Sequence, residues 1–150
     1  MRQVYRSVHV EAAPADVWRV LADFENYPAW NPFIREGSGH AVVGTTLTLR
    51  FFPAEGRPMT FRPTVLAADE GRLLRWRGRM ILPGILDGTH QFVLSAVEGG
   101  TLVEQSEFFS GVLVPALSST IGRVGGDFER LNAALKSHTE KSAAGRSPGR

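Results

Sequence analysis

The chain has 150 residues, with 43% hydrophobic and 21% charged side chains and a net charge of +2, which fits one soluble domain with a real core. It contains no cysteine, so disulfides, thiol nucleophiles and thiolate metal sites are excluded and an intracellular, cytoplasmic setting is expected. Lys141, Arg146 and Arg150 sit in a final stretch without acids, and setting them aside leaves a body of about −1, so a generally basic nucleic-acid surface is not indicated.

Residues 4–10 alternate polar and apolar and read as a strand, without the continuous apolar run of a secretory signal. No apolar run reaches the ~18–20 residues of a membrane span. Pro14 suits the first turn of a helix, with Asp16 behind it and Val17, Leu21 and Phe24 at helical spacing. NYPAWNPF ends that helix, because Pro28 and Pro32 disfavour helical geometry in the residues before them. Tyr27, Trp30 and Phe33 give this stiff segment apolar anchors.

From about residue 34 to 110 the pattern is strand, turn, strand. Glu-Gly recurs at 36–37, 55–56, 70–71 and 98–99, where glycine supplies turn geometry. Leu47, Leu49 and Phe51 mark the inner face of one strand, and Met59, Phe61 and Val65 that of a second. Leu74, Trp76 and Met80 mark a third, and Phe92, Leu94 and Ala96 a fourth. This is an antiparallel meander with one buried face. Beyond Gly111 the period changes. Leu117, Ile121, Val124, Phe128, Leu131 and Leu135 form one stripe of a long helix that starts near Pro115. Gly125-Gly126 inside it predicts a bend or a close approach. The expected domain is 1–140, followed by a disordered basic tail at 141–150.

The elements make an α+β fold, and geometry constrains it further. About seven strands at ~4.8 Å spacing form a sheet roughly 30 Å wide, whereas one helix with its side chains is only ~10–12 Å across. The sheet must curl around the helix, with two short helices after the first strand plugging one end.

Three stretches carry a resemblance: APADVWRVLADFENYPAWNPF (13–33), PGILDGTHQFVLSAVEGGTLVEQSEFFSGVLVP (83–115) and FERLNAALK (128–136). With the strands between them, the chain over about 3–138 resembles the SRPBCC superfamily, the START-like, birch-pollen-allergen-like helix-grip fold. It looks most similar to the bacterial polyketide cyclase/dehydrase-like branch. The resemblance implies a hydrophobic cavity between the curved sheet and the last helix. It does not choose a function, because that scaffold carries lipid carriers, receptors and cyclases alike.

The segment 88–109 holds the chemistry. A hairpin turning at Gly99-Gly100 pairs Phe92 with Glu107, Leu94 with Gln105 and His90 with Phe109. His90 and Glu107 are then diagonal neighbours on the inner face, within hydrogen-bonding reach. A three-residue loop would turn Glu104 and Ser106 inward instead. The pair could be structural, could anchor the polar end of a ligand, or could act as acid and base on an enolisable substrate. His90 and Glu107 are therefore the candidate catalytic and ligand-orienting residues. Trp30, Phe51, Phe61, Trp76, Met80 and Phe92 are candidate apolar wall, together with Phe109, Leu117, Ile121 and Phe128 on the last strand and helix.

Arg75, Arg77 and Arg79 share one outward strand face, with Arg50 and Arg62 nearby. They are a solvated face or a surface for anionic lipid or a partner. His9, His40 and His138 have no metal-binding spacing, so no metal and no cofactor is expected. The partner expected is a hydrophobic small molecule, with no nucleic acid; a homodimer is compatible with the sequence. Binding is favoured over catalysis, with an aromatase/cyclase or dehydratase, or a partner- or membrane-surface-binding stress module, as the alternatives.

Overall fold

The computed structural model describes residues 2–79 and 84–145. The chain runs β1 (Arg2–Val10), α1 (Pro14–Leu21), a 3-10 helix (Phe24–Ala29), β2 (Ile34–Ser38), β3 (Thr48–Phe51), β4 (Met59–Phe61), β5 (Thr64–Asp69), β6 (Leu73–Arg79), β7 (Asp87–Val97), β8 (Gly100–Ser110), a 3-10 turn (Pro115–Leu117) and α2 (Ser118–Gly145). Five strands pair antiparallel in the order β1-β8-β7-β6-β5, and three more in the order β2-β3-β4. The fold is α+β, and α2 packs against β1 and α1 inside the curve.

The strand count and grouping differ from the single sheet of about seven. Residues 59–65 were expected as one strand, but they break at Arg62-Pro63 into β4 and β5, because proline has no N–H to offer a ladder. The two sheets remain stitched. Leu47 N–H donates to Pro63 O at 2.8 Å, Gly44 N–H to Val65 O at 2.9 Å, and Val65 N–H to Thr45 O at 2.9 Å. The β-surface thus continues around the helix by backbone bonds at the point where its direction changes.

Pro14 lies in the first turn of α1 and Asp16 beside it, where an acid suits the helix dipole. α1 buries Val17, Trp18 and Leu21. The 3-10 helix buries Phe24 and Tyr27, whose rings meet edge-on at 5.5 Å. The Tyr27 hydroxyl donates to Leu21 O at 2.6 Å, and burial, with the Asp23 carboxylate second, pushes its pKa well above the ordinary value. This end of the curled sheet is plugged with solid aromatic packing.

Three of the four Glu-Gly pairs fall in loops or turns, but Gly37 lies inside β2. There a Cβ would come within 2.7 Å of Phe24 O, so the glycine lets the strand lie against the 3-10 helix. On α2, the Arg6 guanidinium lies against the place a Cβ at Gly125 would occupy, whereas among the described residues nothing lies near a Cβ at Gly126.

α2 continues to Gly145 and Ala143 packs against the core, so residues 141–145 are helix rather than disordered tail; residues 146–150 lie outside the described residues. The last turns of α2 are tied to the end of β1. Lys136 Nζ donates to His9 O at 3.0 Å and to Glu140 Oε2 at 2.5 Å, and the same Glu140 oxygen accepts from Glu11 N–H at 2.8 Å. The Lys136 hydrogen bond, and then the Glu11 N–H, hold the Glu140 pKa below its ordinary value of 4.5. A carboxylate with a lowered folded-state pKa stabilises the fold fully above its unfolded value, and that contribution is lost as pH falls through the folded value. Chemical denaturation at a series of pH values is therefore expected to show Glu140→Gln less stable than the parent near neutrality. The gap should close once the pH lies well below the ordinary carboxylate range.

Candidate functional site

The polar residues of the inner face are placed by the β7–β8 hairpin. Its turn is Glu98-Gly99, with Val97 opposite Gly100 and Gly99 at φ 80°. The expected turn at Gly99-Gly100 is corrected by one residue, which slides the register by two. Gly100 is instead a strand residue, and a Cβ there would run into the backbone of Val10 at the end of the neighbouring β1. A two-residue slide preserves which side chains face inward. It changes their partners: His90 lies directly opposite Glu107, Phe92 opposite Gln105 and Gly88 opposite Phe109.

One inward row now crosses all five strands of the larger sheet: Val65, Trp76, His90, Glu107 and Val4. All five are buried, and His90 is 0% exposed. His90 Nδ1 and Glu107 Oε1 are 2.8 Å apart. With the carboxylate ionised, Nδ1 donates, since an ionised carboxylate only accepts. The imidazole stacks on Trp76 at 4.8 Å and 8°, and meets Phe92 at 4.9 Å and Phe128 at 5.1 Å. Its Nε2 has no partner among the described residues. The third inward polar residue, Gln105, has a structural role: its Nε2 donates to Asn132 Oδ1 at 2.7 Å, fastening β8 to α2.

A cavity of about 870 Å3 opens beside this row, between β3, β4, β8 and the first half of α2. Glu107, Phe109, Leu86, Phe33, Ile121 and Phe128 are its buried walls. Phe51, Phe61 and Leu117 also line it. Its exposed rim is the strap at 54–57 and Met59 on one side, and Thr120, Gly122, Arg123 and Gly126 on the other. Asp127 holds the strap against the helix. Buried to 4% exposure, its Oδ1 accepts from Ala54 N–H at 3.0 Å and from the Arg130 guanidinium.

Of the expected wall residues, Phe51, Phe61, Phe109, Leu117, Ile121 and Phe128 border the cavity, as does Glu107. Trp76, Phe92 and His90 do not. They are packed behind the surface, the imidazole boxed by rings and reaching the cavity only through Glu107. Trp30 is also corrected: it stacks on His138 at 6.1 Å and meets Tyr27 at 5.2 Å, on the far half of α2. Met80 lies outside the described residues. Asp127 and the strap at 53–57 were missed. An acid three residues after Val124 and four before Leu131, on the apolar stripe itself, was the available signal.

The outward arginines are largely engaged along the sheet. Arg75 Nε donates to Gln91 at 2.9 Å, Arg77 lies 3.7 Å from Asp87, and Arg50 bonds Thr60 at 2.9 Å and lies 3.5 Å from Glu36. Arg50 also stands on the smaller sheet, apart from the arginines of β6. Among the described residues no group of His, Asp or Glu is arranged to hold a metal ion, and no helix is long and apolar enough to cross a membrane.

The family described as polyketide cyclase / dehydrase and lipid transport matches residues 1–140. The chain belongs to that family. Solved structures agree in fold across nearly the whole length. The Zhui aromatase/cyclase from Streptomyces sp. R1128 is 19% identical with a TM-score of 0.77, covering 96% of this chain and 98% of that one. A START superfamily protein from Mycobacterium smegmatis is 20% identical with a TM-score of 0.74, covering 93% and 98%. A Mesorhizobium loti protein is 17% identical with a TM-score of 0.76, covering 94% and 98%. No curated protein matches the sequence significantly.

Removing the imidazole strands a buried carboxylate. His90→Leu is expected to destabilise the fold by about 3 kcal/mol, measured by urea denaturation. Glu107→Gln keeps an acceptor opposite Nδ1 and should cost clearly less.

Proposed function

We propose that the protein binds a hydrophobic or amphipathic small molecule in the cavity between the curved sheet and α2. The observation that carries this reading is the cavity itself: about 870 Å3, apolar on most of its wall, with Glu107 as a buried polar group beside Phe109, Ile121 and Phe128. Known small-molecule sites have this size and make-up, with few polar groups fixing orientation in a mostly apolar space. Asp127 is occupied by Ala54 and Arg130. Glu107 has a single side-chain hydrogen-bond partner among the described residues, His90, so its carboxylate is available to a hydroxyl or enol of the ligand. Membership of a family whose description joins cyclases, dehydrases and lipid transport supports the same class of ligand.

A second reading rests on the His90–Glu107 contact. A cavity-facing carboxylate held by an imidazole has the form of a general base with its positioning partner. In that reading Glu107 takes a proton from an enolisable carbon of a polyketide-like chain, and His90, shut behind it, fixes its orientation. The contact serves binding equally well, and binding requires no further group.

Binding of a fluorescent fatty acid such as 11-(dansylamino)undecanoic acid, followed by fluorescence and by thermal shift, tests the first reading. The parent should bind and gain melting temperature. Ile121→Trp, which fills the cavity, should weaken binding by on the order of tenfold or more while the protein stays folded. No binding by the parent, or unchanged binding by the filled variant, would refute it. Turnover of a polyketide-like substrate, lost in Glu107→Gln with binding retained, would select the catalytic reading instead.

A further inference from the structure

The cavity is electrically uneven, and the unevenness specifies which end of a ligand faces out. Its buried wall carries one acid not bonded to a cation of the rim, Glu107, held by His90. Three arginines border its outer part: Arg57 from the strap, and Arg123 and Arg130 from α2. Their surroundings differ. Arg130 is committed to Asp127, which is buried and also accepts from Ala54 N–H. Arg123 reaches Glu55 at 3.5 Å and Thr120 at 3.5 Å. With 54% and 72% of the two side chains exposed, that ion pair is a weak one that a better acceptor can replace. Arg57 is exposed and has no hydrogen bond or ion pair among the described residues. The rim thus presents one unpartnered guanidinium and one loosely held one. The acids that border the cavity are Glu55, already against Arg123, Asp127, already bound, and Glu107 on the inner wall.

We infer that the ligand is an amphipathic carboxylic acid, its carboxylate held at the rim by Arg57 and Arg123 and its apolar body directed inward past Phe51, Phe109 and Ile121. This rests on the cavity reading above and adds the head group and its orientation. The reverse orientation places a carboxylate against Glu107, where like charges repel in a desolvated space. The outward orientation replaces the exposed Glu55 contact with charge-assisted bonds from guanidinium groups, whose planar fork matches a carboxylate. An alkyl chain and a fused aromatic system both meet this description, and they are separable by experiment.

Calorimetric titration at low ionic strength compares dodecanoate with dodecanol, and anthracene-2-carboxylate with 2-(hydroxymethyl)anthracene. In at least one series the acid should bind about tenfold more tightly than its neutral partner, and added salt should erode that preference. The series that binds identifies the body as alkyl or aromatic. In Arg57→Gln/Arg123→Gln the acid should fall to the affinity of the alcohol, with the alcohol unchanged. If that double variant does not fold, Arg57→Gln alone, at a side chain without partners among the described residues, should narrow the preference. Acid and alcohol bound equally by the parent, or an acid preference that survives these substitutions, would overturn the head-group inference and leave the cavity reading standing. Failure of all four compounds to bind would overturn both.

Discussion

The two-residue turn at Glu98-Gly99 is the constraint on which the rest of the structure depends. It sets the register of two eleven-residue strands at the centre of the larger sheet. Through that register it decides that His90 stands opposite Glu107 and Phe92 opposite Gln105. A slip by one residue would turn Gln105 and Glu107 to the other face and bring Glu104 and Ser106 inward in their place. The same register aligns β1 on the other side of β8, so that Val4 completes the row that begins at Val65. The helix is then fastened to this frame by Gln105–Asn132 within the core and by Lys136 and Glu140 at its far end.

Curling the sheet around one helix creates more interior than side chains fill evenly. At one end Phe24, Tyr27, Trp76 and Phe92 occupy the space, ring against ring. At the other end a cavity remains between β3, β4, β8 and the first half of α2, with the strap at 53–57 and the first turns of α2 at its rim. Asp127 sits at the junction, tying strap to helix by a backbone N–H. The His90–Glu107 pair lies between the two regions, with the imidazole on the packed side and the carboxylate on the open side. A buried ion-pair geometry of this kind is a weak source of net stability. Only the carboxylate of the pair borders the cavity, and the binding role proposed for it draws on that placement rather than on its energetics.

Much of this was legible in the chain. The alternation of residues 88–109 places His90, Gln105 and Glu107 inward, because the period-two rule survives a slide by two. The partners were not legible. The turn was expected at Gly99-Gly100, and only the end of β1 lying against Gly100 shows that this glycine makes room while Gly99 turns. Trp30 and Trp76 carried the right apolar character for a cavity wall, but an aromatic residue reads the same whether it meets a void or another ring. Gln105 found Asn132 across 27 residues, a contact that no local pattern announces.

The sequence by itself determined the α+β class, the long last helix, the inward faces of the strands around Leu49, Trp76, Phe92 and Glu107, and the need for the sheet to curl. These follow from short-range periodicity and from the widths of a sheet and a helix. The split of that sheet at Pro63, the filling of one end and not the other, and the separation of His90 from the cavity it was expected to face were decided only by the tertiary structure. Each depends on which side chains from distant segments meet at a point, and packing of that kind has no signature in local spacing.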